Sequence, residues 1–204
     1  MKFTTWIFVV ITLMAALVIP VAAEVVYTPV YVSIPTGGHY DIDLNQDGVI
    51  DFSLEESLIQ DYCQFGDGYI WSLGVVAHPG NAVAGTNGYY AAALPIGQPV
   101  NSGRCFYPSV VLMADLAWGH CGTGTMGEWL NVPDRYLGLR FQGSSTSDIH
   151  YGWAKVTTSA YVDQHGVLHT STILTGFAYE TVPGKGILTG QTSDNPEPLA
   201  GGPR

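Results

Sequence analysis

Charge is scarce in this chain. Only 12% of its 204 residues are Asp, Glu, Lys or Arg, and Lys and Arg together number seven. With so few cations no basic patch can form, so recognition of nucleic acid through phosphates is excluded as an expectation. The same shortage removes the best helix formers and the charge pairs that support exposed helices. Cysteine is also rare, at three residues, and none forms Cys-x-x-Cys. That leaves thioredoxin-like and haem-attachment readings without support. Neither Gly-x-Ser-x-Gly nor His-Glu-x-x-His occurs. The glycine run Gly122-Thr-Gly-Thr-Met-Gly127 lacks the Lys of a phosphate loop. Nothing in the chain marks an enzyme.

What is plentiful is apolar and β-forming. Hydrophobic residues make up 47%, which argues against wholesale disorder, and Gly and Tyr number 25 and 12. Such a composition favours strands joined by tight turns.

The N-terminus reads as a secretory signal. Met1-Lys2 carries one positive charge, an apolar run follows from Trp6 to Ile19, and Pro20-Val21-Ala22-Ala23 ends in small residues. The run is shorter than the ~20 residues of a spanning helix, so cleavage after Ala23 is expected rather than an uncleaved anchor. No Cys follows the run, which argues against a lipid anchor. No other segment is long and apolar enough to span a bilayer. The mature chain would be residues 24–204, with six basic and 17 acidic residues and a net charge of −11. It is expected outside the cell or at its surface. There a disulfide is the default. Cys63, Cys105 and Cys121 allow one bridge and one spare thiol. Cys105–Cys121 would close the shorter loop and Cys63–Cys105 would tie more of the chain, and both stay open.

Apolar alternation places the strands. Val25–Ile34 is an edge or broken strand, because Pro29 cannot donate to a ladder. His39–Leu44 and Val49–Leu54 alternate on either side of a turn. Tyr69–Ala77 reads as a buried strand, and His78–Gly88 as a long loop. Tyr89–Leu94 is ambiguous, and Pro95–Pro108 is mostly irregular. Val110–Trp118 is a strand or a helical turn or two, and Gly119–Gly127 is too glycine-rich to be regular. Tyr136–Gln142 alternates cleanly. The best hairpin joins Ile149–Val162 to Val167–Glu180 through Asp163-Gln164-His165-Gly166. On it Tyr151/Trp153 and Phe177/Tyr179 are expected as cross-strand partners. After the Pro183-Gly184-Lys185-Gly186 turn, Ile187-Leu188 reads as a last short strand, and residues 190–204 read as a flexible tail. The fold expected is all-β: one antiparallel β-sandwich over 24–189, jelly-roll or Ig-like, with long Gly/Pro-rich loops.

The strongest chemical signal is Asp43-Leu44-Asn45-Gln46-Asp47-Gly48-Val49-Ile50-Asp51. Oxygen-bearing side chains stand at positions 1, 3, 5 and 9 of this loop, and Gly48 takes the bend. Alternate residues of a tight loop turn toward one point, and the Val49 carbonyl can add an oxygen. Ca²⁺ takes ~6–8 hard oxygens at ~2.3–2.6 Å in irregular geometry. The expected metal ligands are therefore Asp43, Asn45, Asp47, Val49 and Asp51. Leu54 stands where an EF-hand needs a bidentate Glu, so this is not an EF-hand. The loop resembles the shorter D-x-[DN]-x-D-G-x-x-D loops of extracellular β-proteins, and that resemblance gives Asp51 the closing role. The competing reading is a turn of Asp and Asn residues facing water.

Other candidates are weaker. His165 and His169 would lie ~13 Å apart in an extended strand, too far to share a metal. His120 beside Cys121 could form a nucleophilic pair, but no third group orients it. Glu128 and Asp115 are the only acids near apolar sequence away from the loop.

Three stretches carry a family resemblance: Tyr136-Leu-Gly-Leu-Arg-Phe141, His150-Tyr-Gly-Trp-Ala-Lys-Val156, and Gly176-Phe-Ala-Tyr-Glu-Thr181 with Pro183-Gly184. They resemble a group of uncharacterised secreted bacterial proteins, many ending in a PEP-CTERM sorting signal. Pro196-Glu197-Pro198 is present here, without the apolar helix and Arg cluster that usually follow. That departure favours release or extracellular assembly over membrane sorting, while the resemblance implies cell-surface or matrix material and supplies no catalytic residues.

The function expected is thus a secreted structural protein, stabilised by Ca²⁺. It is a candidate subunit of a filament or matrix, with Val25–Ile34 as the strand that joins neighbouring copies. A carbohydrate-binding or adhesive module with a glycan partner is the alternative, and a hydrolase ranks third.

Overall fold

Two aromatic-rich hairpins and a run of β-branched residues supply five of the long strands. The computed structural model describes residues 24–87, 89–143, 145 and 147–194. The expected signal segment 1–23 and most of the expected tail, from 195, lie outside the described residues.

Among the described residues all regular structure is β. The strands are β1 (Val25–Ile34), β2 (His39–Ile42), β3 (Phe52–Cys63), β4 (Gly66–Ala77), β5 (Ala82–Ala84), β6 (Pro99–Val100) and β7 (Phe106–Tyr107). They continue as β8 (Ser109–Gly119), β9 (Gly124–Gly127), β10 (Arg135–Gln142), β11 (Ile149–Val162), β12 (Leu168–Glu180) and β13 (Ile187–Leu188). One sheet runs β1-β12-β11-β10-β5-β7, the other β2-β3-β4-β8-β9, and β13 pairs with β6 alone. The named strand pairs are all antiparallel, and the sheets form a sandwich rather than a closed barrel. No helix among the described residues is long and apolar enough to cross a membrane.

The main core lies between the sheets. Phe52, Leu54, Trp71, Leu73 and Met113 come from one side, and Leu137, Leu139, Phe141, Val156 and Leu174 from the other. A second core, of Val25, Leu94, Val100, Tyr136, Tyr151, Trp153 and Ile187, covers the outer face of the six-stranded sheet. That sheet is therefore buried on both faces, and the clean alternation expected for 136–142 gives way to burial from Tyr136 through Leu139.

The long hairpin forms as expected, with Val162 opposite Leu168. Its aromatic pairs do not meet as expected. Trp153 lies opposite Ala178, and Phe177 lies opposite Ala154. Tyr151 and Trp153 thus face the second core while Phe177 packs in the first, because a one-residue phase moves a side chain to the other face.

The edge position expected for Val25–Ile34 is observed, with an irregularity between Pro29 and Val32. Other expectations need correction. Gly119–Gly127 is not wholly irregular, since β9 pairs with β8. There Gly127 has φ +82°, and a Cβ on it would collide with the Met113 carbonyl. The loop expected at His78–Gly88 contains β5, whose small side chains fit fully buried beside β10. The strand expected to end at Leu54 continues to Cys63 as half of a β3–β4 arm. Gly190 and Gln191 also belong to the folded part. The Trp153 indole donates to the Gln191 carbonyl at 3.2 Å, and the Leu188 N–H donates to the Gln191 side chain at 3.1 Å.

The disulfide joins Cys63 and Cys121, which is neither of the two pairings held open above. The β3–β4 arm explains it. Gly68 pairs with Gly119, so Cys63 at the arm's turn and Cys121 just beyond β8 arrive together. Cys105 is the free, exposed thiol.

Candidate functional site

The acidic loop connects β2 to β3 at one end of the sandwich. Left-handed backbone at Gln46 (φ 60°) and Gly48 (φ 90°) lets it turn tightly. Asp43 accepts the Asp47 N–H at 3.1 Å on Oδ1 and the Gly48 N–H at 2.7 Å on Oδ2. Asn45 Oδ1 accepts the Asp47 N–H at 3.2 Å, and its Nδ2 donates to Asp47 Oδ2 at 2.9 Å. Asp47 Oδ1 accepts the Val49 N–H at 2.9 Å. Gln46 reaches across to Thr28 in β1 at 2.9 Å and ties the loop to the other sheet.

Asp51 sits beneath this turn, 5% exposed. Its Oδ2 accepts the Leu44 N–H at 2.9 Å, and its Oδ1 accepts from Asn81 Nδ2 at 3.0 Å. Burial pushes its carboxyl up to about 6, and the charges of Asp47 and Asp43 push the same way. The Leu44 and Asn81 hydrogen bonds oppose the rise. The loop therefore carries an electrostatic load concentrated on one buried carboxyl.

The structure gathers Asp43, Asn45 and Asp47 into one turn above Asp51, while the Val49 residue is 64% exposed. Among the described residues no three or more His, Cys, Asp or Glu side chains close into a finished metal cluster. The donors nevertheless suit a hard cation. They are oxygens with net negative charge, and each carboxylate oxygen keeps a lone pair beyond the hydrogen bonds named. Two clefts flank the turn. One, of about 660 Å³, is lined by Asp47, Val49, Asp51, His78, Asn81 and Gln142. The other, of about 240 Å³, is lined by Asn45, Asp47, Phe141, His150, Tyr179 and Thr181.

Asn81 is the residue that sequence reasoning passed over. Its side chain donates to both the carbonyl and the carboxylate of Asp51 and accepts the Gln142 N–H, all at 3.0 Å. Only the Pro79-Gly80-Asn81 turn signal marked the position, and that signal says nothing of a contact 30 residues away.

The remaining candidates are placed as follows. Cys121 is in the disulfide, so it offers no thiol to His120, whose Nδ1 lies 3.3 Å from the Asp67 carbonyl. His165 donates its backbone N–H to Asp163 at 2.8 Å, while His169 Nε2 pairs with the same carboxylate at 3.1 Å. Glu128 accepts the Ala93 N–H at 3.1 Å. Asp115 lies in β8 opposite Ser72.

One arrangement looks like a triad. Ser53 Oγ lies 2.6 Å from Asp41 Oδ1 and 3.0 Å from His78 Nε2. The single hydroxyl proton goes to Asp41, so His78 meets the oxygen as a donor. Such a histidine is not placed as a base for Ser53, which is itself 5% exposed.

Compared with protein-family models, curated proteins and solved structures, the chain matches none of them.

Proposed function

We propose that this protein is an extracellular structural module whose acidic loop takes up Ca²⁺. The observation that carries the reading is the Asp51 carboxyl beneath the turn of Asp43 and Asp47, pushed up first by its burial and further by those two acids. Asp43, Asn45, Asp47 and Asp51 would hold the ion by side chains and Val49 by its carbonyl. Bound there, Ca²⁺ supplies the positive charge that relieves the crowding of these carboxylates. The chain does the rest. Asn81 and the Leu44 N–H orient Asp51, and Gln46 ties the loop to β1. The expected effect is to fasten the two sheets at that end.

The Cys63–Cys121 bridge supports an oxidising compartment. The roles found for Cys121 and Ser53 favour a structural reading over a hydrolase. β1 supports assembly in a specific way. It is hydrogen-bonded to β12 and contributes buried Val25 and Ile34, so it is no loose arm, but its outer edge is unpaired in the sheet order. A neighbouring copy could add there. Tyr31, 78% exposed, lies on that strand. Tyr31→Lys, a charge of the kind that blunts edge strands, tests it. Electron microscopy and light scattering should show oligomers or polymers in Ca²⁺ and monomers for the variant. Monodisperse wild-type protein in Ca²⁺, or assembly indifferent to Tyr31→Lys, would remove the assembly reading.

A further inference from the structure

At the other end of the same strands, the two sheets part around a groove of about 500 Å³. Leu116 and Trp118 of β8, Thr123 and Thr125 beside and within β9, Asn131, and Tyr161 of β11 line it. None of its lining residues is charged. We propose that this groove is a binding site for a neutral glycan, with Trp118 as its stacking surface and Tyr161 at its rim.

Both rings are braced from behind. Trp118 stacks on Tyr69 with centroids 5.4 Å apart and planes 24° from parallel. Tyr161 stacks on His169 at 4.9 Å and 16°, and Asp163 holds that histidine at 3.1 Å. A braced ring has already lost its rotamer freedom, so binding on its other face costs little further ordering. Tyr161 remains 54% exposed.

The chemistry selects the ligand class. A pyranose ring offers an apolar C–H face for an aromatic plane and hydroxyls around its rim. Here the rim carries the Thr123 and Thr125 hydroxyls and Asn131. Asn131 gives its Oδ1 to the Ala160 N–H at 2.8 Å, which leaves its Nδ2 donors to face a ligand. An anionic ligand would meet no cation in the groove, and a cationic one no carboxylate. A peptide added to the edge of β9 is less well served, because that strand is four residues long and Gly at both ends. The groove size falls within the range of small-ligand sites. No residue of the acidic loop lines this groove, so binding here is independent of any cation.

Affinity electrophoresis tests it. The purified protein is run through native gels cast with a soluble β-glucan, a xyloglucan, a galactomannan or an α-glucan, in Ca²⁺ and again in EGTA. Retardation by at least one polymer is expected in both buffers. Trp118→Ala and Tyr161→Ala should each weaken it by roughly 3–10-fold, the size of one aromatic contact. Tyr161 is exposed enough that its variant should keep the wild-type melting curve, which separates lost binding from lost folding. No retardation by any of the four polymers would overturn the proposal. So would retardation that both variants leave unchanged, or capture of unmodified peptides in place of polysaccharide.

Discussion

Asn81 Nδ2 lies 3.0 Å from both the carbonyl oxygen and the carboxylate Oδ1 of Asp51. One amide from the turn before β5 thus holds the main chain and the side chain of the loop's last acid. Its own oxygen holds the start of the β10–β11 turn through the Gln142 N–H. Asn81→Ala should cost about 1–3 kcal/mol, because two buried polar groups and one part-buried N–H lose a partner. Urea denaturation measures this. A midpoint within error of wild type would show that Asn81 is incidental.

Asp51 should give stability an unusual pH dependence when the cation is chelated. Its pKa in the fold is about 6, against 3.8 for a free Asp. The folded state therefore binds this proton more tightly than the unfolded state. The contribution is fully present below a pH of about 4 and is lost as pH rises through about 6. Its upper limit is about 3 kcal/mol at about 1.4 kcal/mol per pKa unit. Melting scans in EDTA should show this loss in wild type and not in Asp51→Asn. Identical slopes in the two proteins would rule Asp51 out as the source.

The Cys63–Cys121 bridge closes a 58-residue separation and pins the β3–β4 arm to the end of β8. Its removal by Cys63→Ala with Cys121→Ala should cost about 2–5 kcal/mol. Hydrogen exchange should rise first in the arm, where Tyr62 and Phe65 are both 71% exposed. Cys105→Ser should change stability by less than about 0.5 kcal/mol. Thiol titration of the unreduced protein should find one reactive group per chain. Three would contradict the pairing.

Much of the fold was legible because single-face burial leaves its period in the chain. The turn ends of β11 and β12, joined by Asp163–Gly166, could be read that way. Where both faces share one environment the period disappears. The outer half of β3, from Ser57 to Tyr62, is exposed throughout. Tyr136 to Leu139 is the opposite case, covered by a core on each side. β9 was hidden by its glycines, of which Gly127 permits close approach to Met113 rather than breaking the strand. The acidic loop was legible as a local spacing. Asn81 was not, since only the fold brings it to Asp51, and nor was the pairing of Cys63 with Cys121.

The central claim is that the acids of residues 43–51 are relieved by a divalent ion. The most direct test is thermal melting at neutral pH in about 10 mM Ca²⁺ and in EGTA, alongside Asp43→Asn/Asp47→Asn. For a site of the affinity usual in extracellular modules, wild type should gain about 3–10 °C in Ca²⁺. The double variant should melt at one temperature in both buffers. A wild-type curve that Ca²⁺ leaves in place, or a double variant that gains as much as wild type, would contradict the account.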